Sequence, residues 1–226
     1  EQNVSIVIGP ISYQDFDEAK KFSNITFISP SNISPEFGNN IISVGISLDS
    51  QLKTLEKFIK KQKKNKTVIM FPDNQYKPLI EKKLKTLNLN NLKTFTYNPN
   101  PEVLTGDIEI LTNYSQRKKN LSLRKKLYED KEDEQSIKAL ERLDQLYTLG
   151  GVNFDSVIIV DFGNSLKSVL TSLVYTDVNQ NQVLITTVNQ WFDESIFYEN
   201  TIQELYYPSI NYKEFKKYND IYFKKF

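Results

Sequence analysis

Residues 4–32 read VSIVIGPISYQDFDEAKKFSNITFISPSN, and this stretch decides the fold. Val4 to Ile8 is a short apolar, β-branched run closed by Gly9-Pro10, the pattern of a fully buried strand meeting a sharp turn. The apolar character of the run on both faces predicts a place inside a sheet rather than at its rim. Ser12 to Phe22 has a helical pattern, with Ser12 and Asp15 spaced as a capping box. Ile25 to Ile28 is a second strand, ended by Ser29-Pro30-Ser31-Asn32. Strand, helix and strand joined this tightly predict a right-handed crossover between parallel strands.

The alternation continues outward. Ile41 to Ile46 is extended and apolar, and Asp49 to Lys61 carries Leu52, Leu55, Phe58 and Ile59 at helical spacing. Thr67 to Phe71 reads as a buried strand, Gln75 to Leu87 as a helix, and Leu92 to Tyr97 as a strand ending at Asn98-Pro99. From Glu102 to Leu149 the rhythm breaks. This segment has no strand signal and predicts a short helix near Asp107, then one long or two abutting helices. The charge run Asp130-Lys131-Glu132-Asp133-Glu134 within it reads as a solvated face or turn. Ser156 to Val160 is the most apolar strand, Asn164 a candidate cap for a helix from Ser165 to Tyr175, and Val183 to Thr187 a further strand. Ile202 to Tyr207 reads as extended and Tyr212 to Phe226 as a helix. The whole predicts an α/β protein with mainly parallel sheets flanked by helices, whose strand-end turns gather where ligands bind in such folds.

Composition narrows the function. The 226 residues include 29 Lys plus Arg and 28 Asp plus Glu, a net charge of +1 that argues against a nucleic-acid or anionic-membrane binder. There is no Cys and no His, which removes disulfides, thiol nucleophiles, Ser-His triads and the usual zinc sites together. No set of titratable residues forms a convincing catalytic group, so the expectation is a non-catalytic binding module without metal or cofactor. No apolar run approaches the roughly 20 residues of a membrane span. Asn occurs 22 times and only three of the basic residues are Arg. The simplest reading of that bias is an AT-rich genome.

Several motifs resemble a known fold family. Ile6-Val7-Ile8-Gly9-Pro10 with Ile28-Ser29-Pro30-Ser31-Asn32 resembles the paired signature of type I periplasmic binding proteins, and Phe71-Pro72-Asp73-Asn74-Gln75-Tyr76 resembles their second-lobe turn, with Lys77 in place of the usual Gly. Gly106-Asp107-Ile108, Asn113-Tyr114-Ser115-Gln116-Arg117, Phe154-Asp155, Gln190-Trp191-Phe192-Asp193 and Tyr206-Tyr207-Pro208-Ser209 resemble the penicillin-binding protein activators, outer-membrane lipoproteins of the same fold. The resemblance implies two lobes. Residues 1–42 with 203–226 would form an incomplete first lobe of two strands, and residues 43–202 a second lobe carrying a helical insertion at about 102–149. Because the resemblance starts and stops inside familiar elements, it also implies that the chain is part of a longer protein.

The same resemblance suggests what the protein does. It implies a periplasmic or outer-membrane-anchored protein of a Gram-negative bacterium that acts through a cell-wall synthase. The alternative is a solute-binding protein of a transporter, with a permease as partner and an amino acid or similar small polar ligand between its lobes. In amino-acid-binding relatives the positions matching Ser12, Ser29 and Ser31 hold the ligand carboxylate. Ser12 reads equally as a helix cap, and Asp15, Asp17 and Glu18 on the same helix start would repel an anion. Asp161, at a buried strand's end, is a candidate partner for a ligand amine or a turn residue. Trp191 and Phe192 could wall a cleft or fill a core. Tyr114 and Arg117 read as a staple holding the insertion in place.

Overall fold

The computed structural model describes residues 4–11, 15–30, 38–189, 198 and 204–225. These divide into two compact units, Glu1–Lys57 with Tyr76–Asn88, and Phe58–Gln75 with Leu89–Phe226. The boundaries differ from the lobe limits read from the sequence.

In the first unit, β1 (Ile6–Ile8), β2 (Thr26–Ser29) and β3 (Ile41–Ser43) form a three-stranded parallel sheet in that order. Val7, Phe27 and Ile41 share one row of the register, and Ile8, Ile28 and Ile42 the next. Helix α1 (Phe16–Ala19) buries Phe16 and Ala19 with Ile41, and Phe27 packs against them. One expectation is corrected here: among the described residues the sheet has three strands rather than two, because Ile41 to Ser43 pairs with β2. Among the described residues β1 ends the sheet, with Ile6 and Ile8 59% and 86% exposed, the open edge and uncovered apolar faces that an incomplete first lobe leaves. Helix α1 is also shorter than its pattern, and Ser12 lies outside the described residues. Helices α2 (Leu48–Lys61) and α3 (Lys77–Leu84) are joined by Lys83 and Asp49, 2.6 Å apart, and by the Asn88 N–H donating to Glu56.

The second unit holds the larger core. Strands β4 (Thr67–Pro72), β5 (Lys93–Tyr97), β6 (Ser156–Ile159) and β7 (Leu184–Thr187) form a parallel sheet of order β5-β4-β6-β7. The central strands β4 and β6 are buried along their whole length, as continuous apolar runs in parallel sheets are. Met70, Val157 and Ile159 pack with Leu104 and Ile108 of α4 (Pro101–Thr112) and with Leu166, Leu170 and Leu173 of α7 (Gly163–Tyr175). Asn100 starts α4 by accepting the Glu102 N–H, with Pro101 in the first helical position. Asn113, at a left-handed φ of 51°, breaks α4 from α5 (Tyr114–Lys126). The charged run lies exposed, and within it Asp133 caps α6 (Glu134–Asp144) through the Ser136 N–H. Tyr206 adds one parallel bridge to Thr186, and the last helix, α8 (Tyr212–Lys225), leaves Phe215, Tyr218, Ile221 and Tyr222 exposed. No helix among the described residues is long and apolar enough to cross a membrane.

Candidate functional site

Parallel strands deliver their carboxyl ends to one edge of a sheet, where the following turns and helix starts meet. In the second unit that edge carries a buried carboxylate. Asp161 lies two residues past the end of β6 and is 6% exposed. Its Oδ2 accepts from the Tyr97 hydroxyl at 2.5 Å and the Ser165 hydroxyl at 2.6 Å, and its Oδ1 from the Phe162 N–H at 2.8 Å. Each donor has a structural origin. Tyr97 ends β5, two strands from β6, so its ring reaches past the end of β4. Ser165 lies on the first turn of α7, four residues beyond Asp161, where helical geometry returns a side chain to the strand end. Asn164 does not cap this helix. It begins at Gly163, Phe162 holds the cap position, and Asn164 lies inside the first turn.

A carboxylate placed this deep needs donors, and a helix start adds the favourable end of its dipole. Burial, then the adjacent Asp161 charge, push the Tyr97 phenol well above its ordinary value, so it stays a donor across the accessible pH range. The edge thus holds a buried carboxylate, oriented by three donors, beside a helix start, with the electrostatics to face a cationic or polar group.

The first unit has its own strand-edge site. Ser29 is fully buried at the end of β2, its hydroxyl donating to the Pro10 carbonyl at 2.6 Å. Gly9 takes φ +138°, a conformation that favours glycine, and its N–H donates to Ile28. The Ser29 hydroxyl thus ties the end of β2 to the Gly9-Pro10 turn. Ser12, Ser31 and Trp191 lie outside the described residues, as does Phe192.

Tyr97 and Ser165 were not singled out in the sequence. Ser165 was findable four residues from Asp161, whereas Tyr97 becomes a partner only once the strand order is known. Arg117 is placed as a staple, although it holds the insertion to the carboxyl end of α7 rather than to the sheet. It is 4% exposed and donates to the carbonyls of Gly150, Thr176 and Asp177 and to the Thr148 hydroxyl, at 2.8–3.1 Å. Burial lowers its pKa, opposed by the nearby Asp177 carboxylate.

Solved structures share this fold. An extracellular ligand-binding receptor from Rhodopseudomonas palustris matches with a TM-score of 0.53 and 13% identity, over 90% of this chain and 48% of its own. One from Verminephrobacter eiseniae matches with a TM-score of 0.51 and 8% identity, over 82% and 45%. The fold is that of the type I periplasmic binding proteins. The chain spans about half the length of these receptors. A branched-chain amino-acid transporter substrate-binding protein from Streptococcus pneumoniae, in complex with isoleucine, overlaps more loosely, with a TM-score of 0.44, 16% identity, and 83% and 45% coverage. No protein-family model matches the chain, and no curated protein matches it.

Proposed function

We propose that this chain is part of an extracellular solute-binding receptor that holds a small polar ligand, of the amino-acid type, at the carboxyl edge of its sheets. The single observation that supports this most is Asp161: a buried carboxylate at the strand end where α/β folds bind ligands, preset by Tyr97 and Ser165. Ligand-binding receptors share the fold, and they are binding proteins rather than enzymes. In this reading Asp161 draws the ligand's amine. The protein works outside the cytoplasm without chemistry of its own and delivers its ligand to a permease. The test is thermal unfolding against an amino-acid and small-peptide library. A ligand at 100 times its dissociation constant adds about 2.7 kcal/mol of stability, and Asp161→Asn should remove most of that gain. No shift with any solute would sink the proposal.

A second reading, a protein that resembles penicillin-binding protein activators and works on a cell-wall synthase at the outer membrane, has one observation in its favour. The helical insertion carrying the matching motif is fastened by the four Arg117 hydrogen bonds, as a rigid docking element would be. Recovery of a cell-wall synthase from envelope extract, lost with Arg117→Ala, would support it. Recovery of none would remove it.

A further inference from the structure

A cavity of about 260 Å³ lies in the second unit beside the amino end of β7, the end of the sheet opposite to Asp161. Leu170, Val178 and Ile185, all nearly or fully buried, make an apolar floor. Tyr147, Asp177, Asn179, Asn181 and Glu204 stand around it, and the Tyr147 ring is 79% exposed. Two sides of the cavity are tied together by Arg117. Arg117 bonds Thr148 and Gly150 on the Tyr147 side and the carbonyls of Thr176 and Asp177 on the other. The Thr148 hydroxyl donates to Asp177 Oδ2 at 2.5 Å, and Asp177 is held at a left-handed φ of 58°.

We propose that this cavity binds a single uncharged pyranose ring. The size favours one small ring, since about 260 Å³ falls below the roughly 300 Å³ at which pockets take drug-sized molecules. Carboxylates at Asp177 and Glu204 accept from ring hydroxyls, while the side-chain amide of Asn181 both donates and accepts. The exposed Tyr147 ring and the apolar floor suit the C–H faces of the sugar, which a fully polar solute would leave dry and unpaired. Charge selects against the other classes. An anion meets two carboxylates, and Arg117 is buried outside the lining with four hydrogen bonds already made. A small amine is the competing class: Asp177 Oδ2 already takes the Thr148 hydroxyl and faces the Arg117 guanidinium at 3.8 Å, which leaves it Glu204 and no aromatic pairing for the Tyr147 ring and the apolar floor. The site is independent of the carboxyl-edge site proposed above, which lies at the other end of the strands.

Saturation-transfer NMR on the whole chain tests it, with methyl β-glucopyranoside, N-acetylglucosamine and the diamine putrescine as separate probes. Transfer to the ring C–H protons of at least one sugar is expected. It should be about fivefold weaker or less in Tyr147→Ala, be kept in Tyr147→Phe, which retains the ring, and be unchanged in Ser165→Ala at the opposite edge. Absence of transfer to both sugars, transfer that survives Tyr147→Ala, or binding of putrescine alone would overturn the proposal.

Discussion

The Tyr97 hydroxyl donates to Asp161 Oδ2 across 2.5 Å, joining the end of β5 to the end of β6 over the strand between them. The bond links two strands that share no ladder, so its loss should be felt at both. A hydrogen bond to a charged, buried group contributes about 1.5–3 kcal/mol. Tyr97→Phe keeps the ring in the core and removes only that donor. It should lower stability by about that amount while leaving the fold intact, as read from the urea midpoint and far-ultraviolet circular dichroism. An unchanged midpoint would mean that the bond contributes nothing net.

The same residue sets an alkaline limit. Its folded-state pKa is raised, first by burial and then by Asp161, above the ordinary phenol value of 10.0. Above that pH the unfolded chain releases this proton and the folded chain keeps it, so fewer protons are bound in the unfolded state and stability falls as pH rises. Below pH 10.0 the contribution is present in full. The urea midpoint should therefore drop between pH 9 and 11 by more in the wild type than in Tyr97→Phe. Lysine deprotonation affects both proteins alike and cancels in the comparison. Equal slopes would refute the assignment.

Arg117 should be the most costly surface-helix residue to change. Its removal leaves three carbonyls and the Thr148 hydroxyl without their donor in a buried setting. Breaking a buried charged network of this kind costs about 3–5 kcal/mol. Arg117→Lys should recover less than half, because a point ammonium cannot reproduce the planar fork. Hydrogen exchange should accelerate at residues 146–151 and 176–178 in both variants, and that pattern separates loss of the staple from general destabilisation.

How far the sequence could be read follows from what each element needs. β4 and β6 were legible because a strand buried on both faces must be apolar throughout, and their runs are. The caps at Asn100 and Asp133 involve residues two or three apart, so they are local properties. The strand ladder was not local. Nothing in Ile41 to Ser43 announces that it pairs with β2, and a three-residue strand carries too little pattern to choose. The Asp161 site shows the same division. Its carboxylate was visible as an acid at a strand end, whereas Tyr97 lies 64 residues away and meets it only through the order β5-β4-β6. Ser29 was visible as a hydroxyl at a loop, but the direction of its donor bond, onto Pro10, depends on the path of the Gly9-Pro10 turn.

The two sheets should differ in how hard they are to open. β6 is flanked on both sides and Val157, Ile158 and Ile159 are fully buried, whereas β1 has one partner strand among the described residues and leaves Ile6 and Ile8 largely exposed. Apolar burial stabilises roughly in proportion to the area removed from water. Ile158→Ala should therefore cost about 2–5 kcal/mol, and Ile8→Ala little, since its side chain already meets solvent in this chain. An open rim of apolar residues is also a template for pairing with another chain. Ile8→Lys should thus leave the urea midpoint nearly unchanged and reduce concentration-dependent association in sedimentation velocity. Amide exchange gives the direct comparison: protection of Ile6 to Ile8 is expected to fall well below that of Ser156 to Ile159. Equal protection in a proven monomer would show that the rim of β1 is covered, and the prediction would fail.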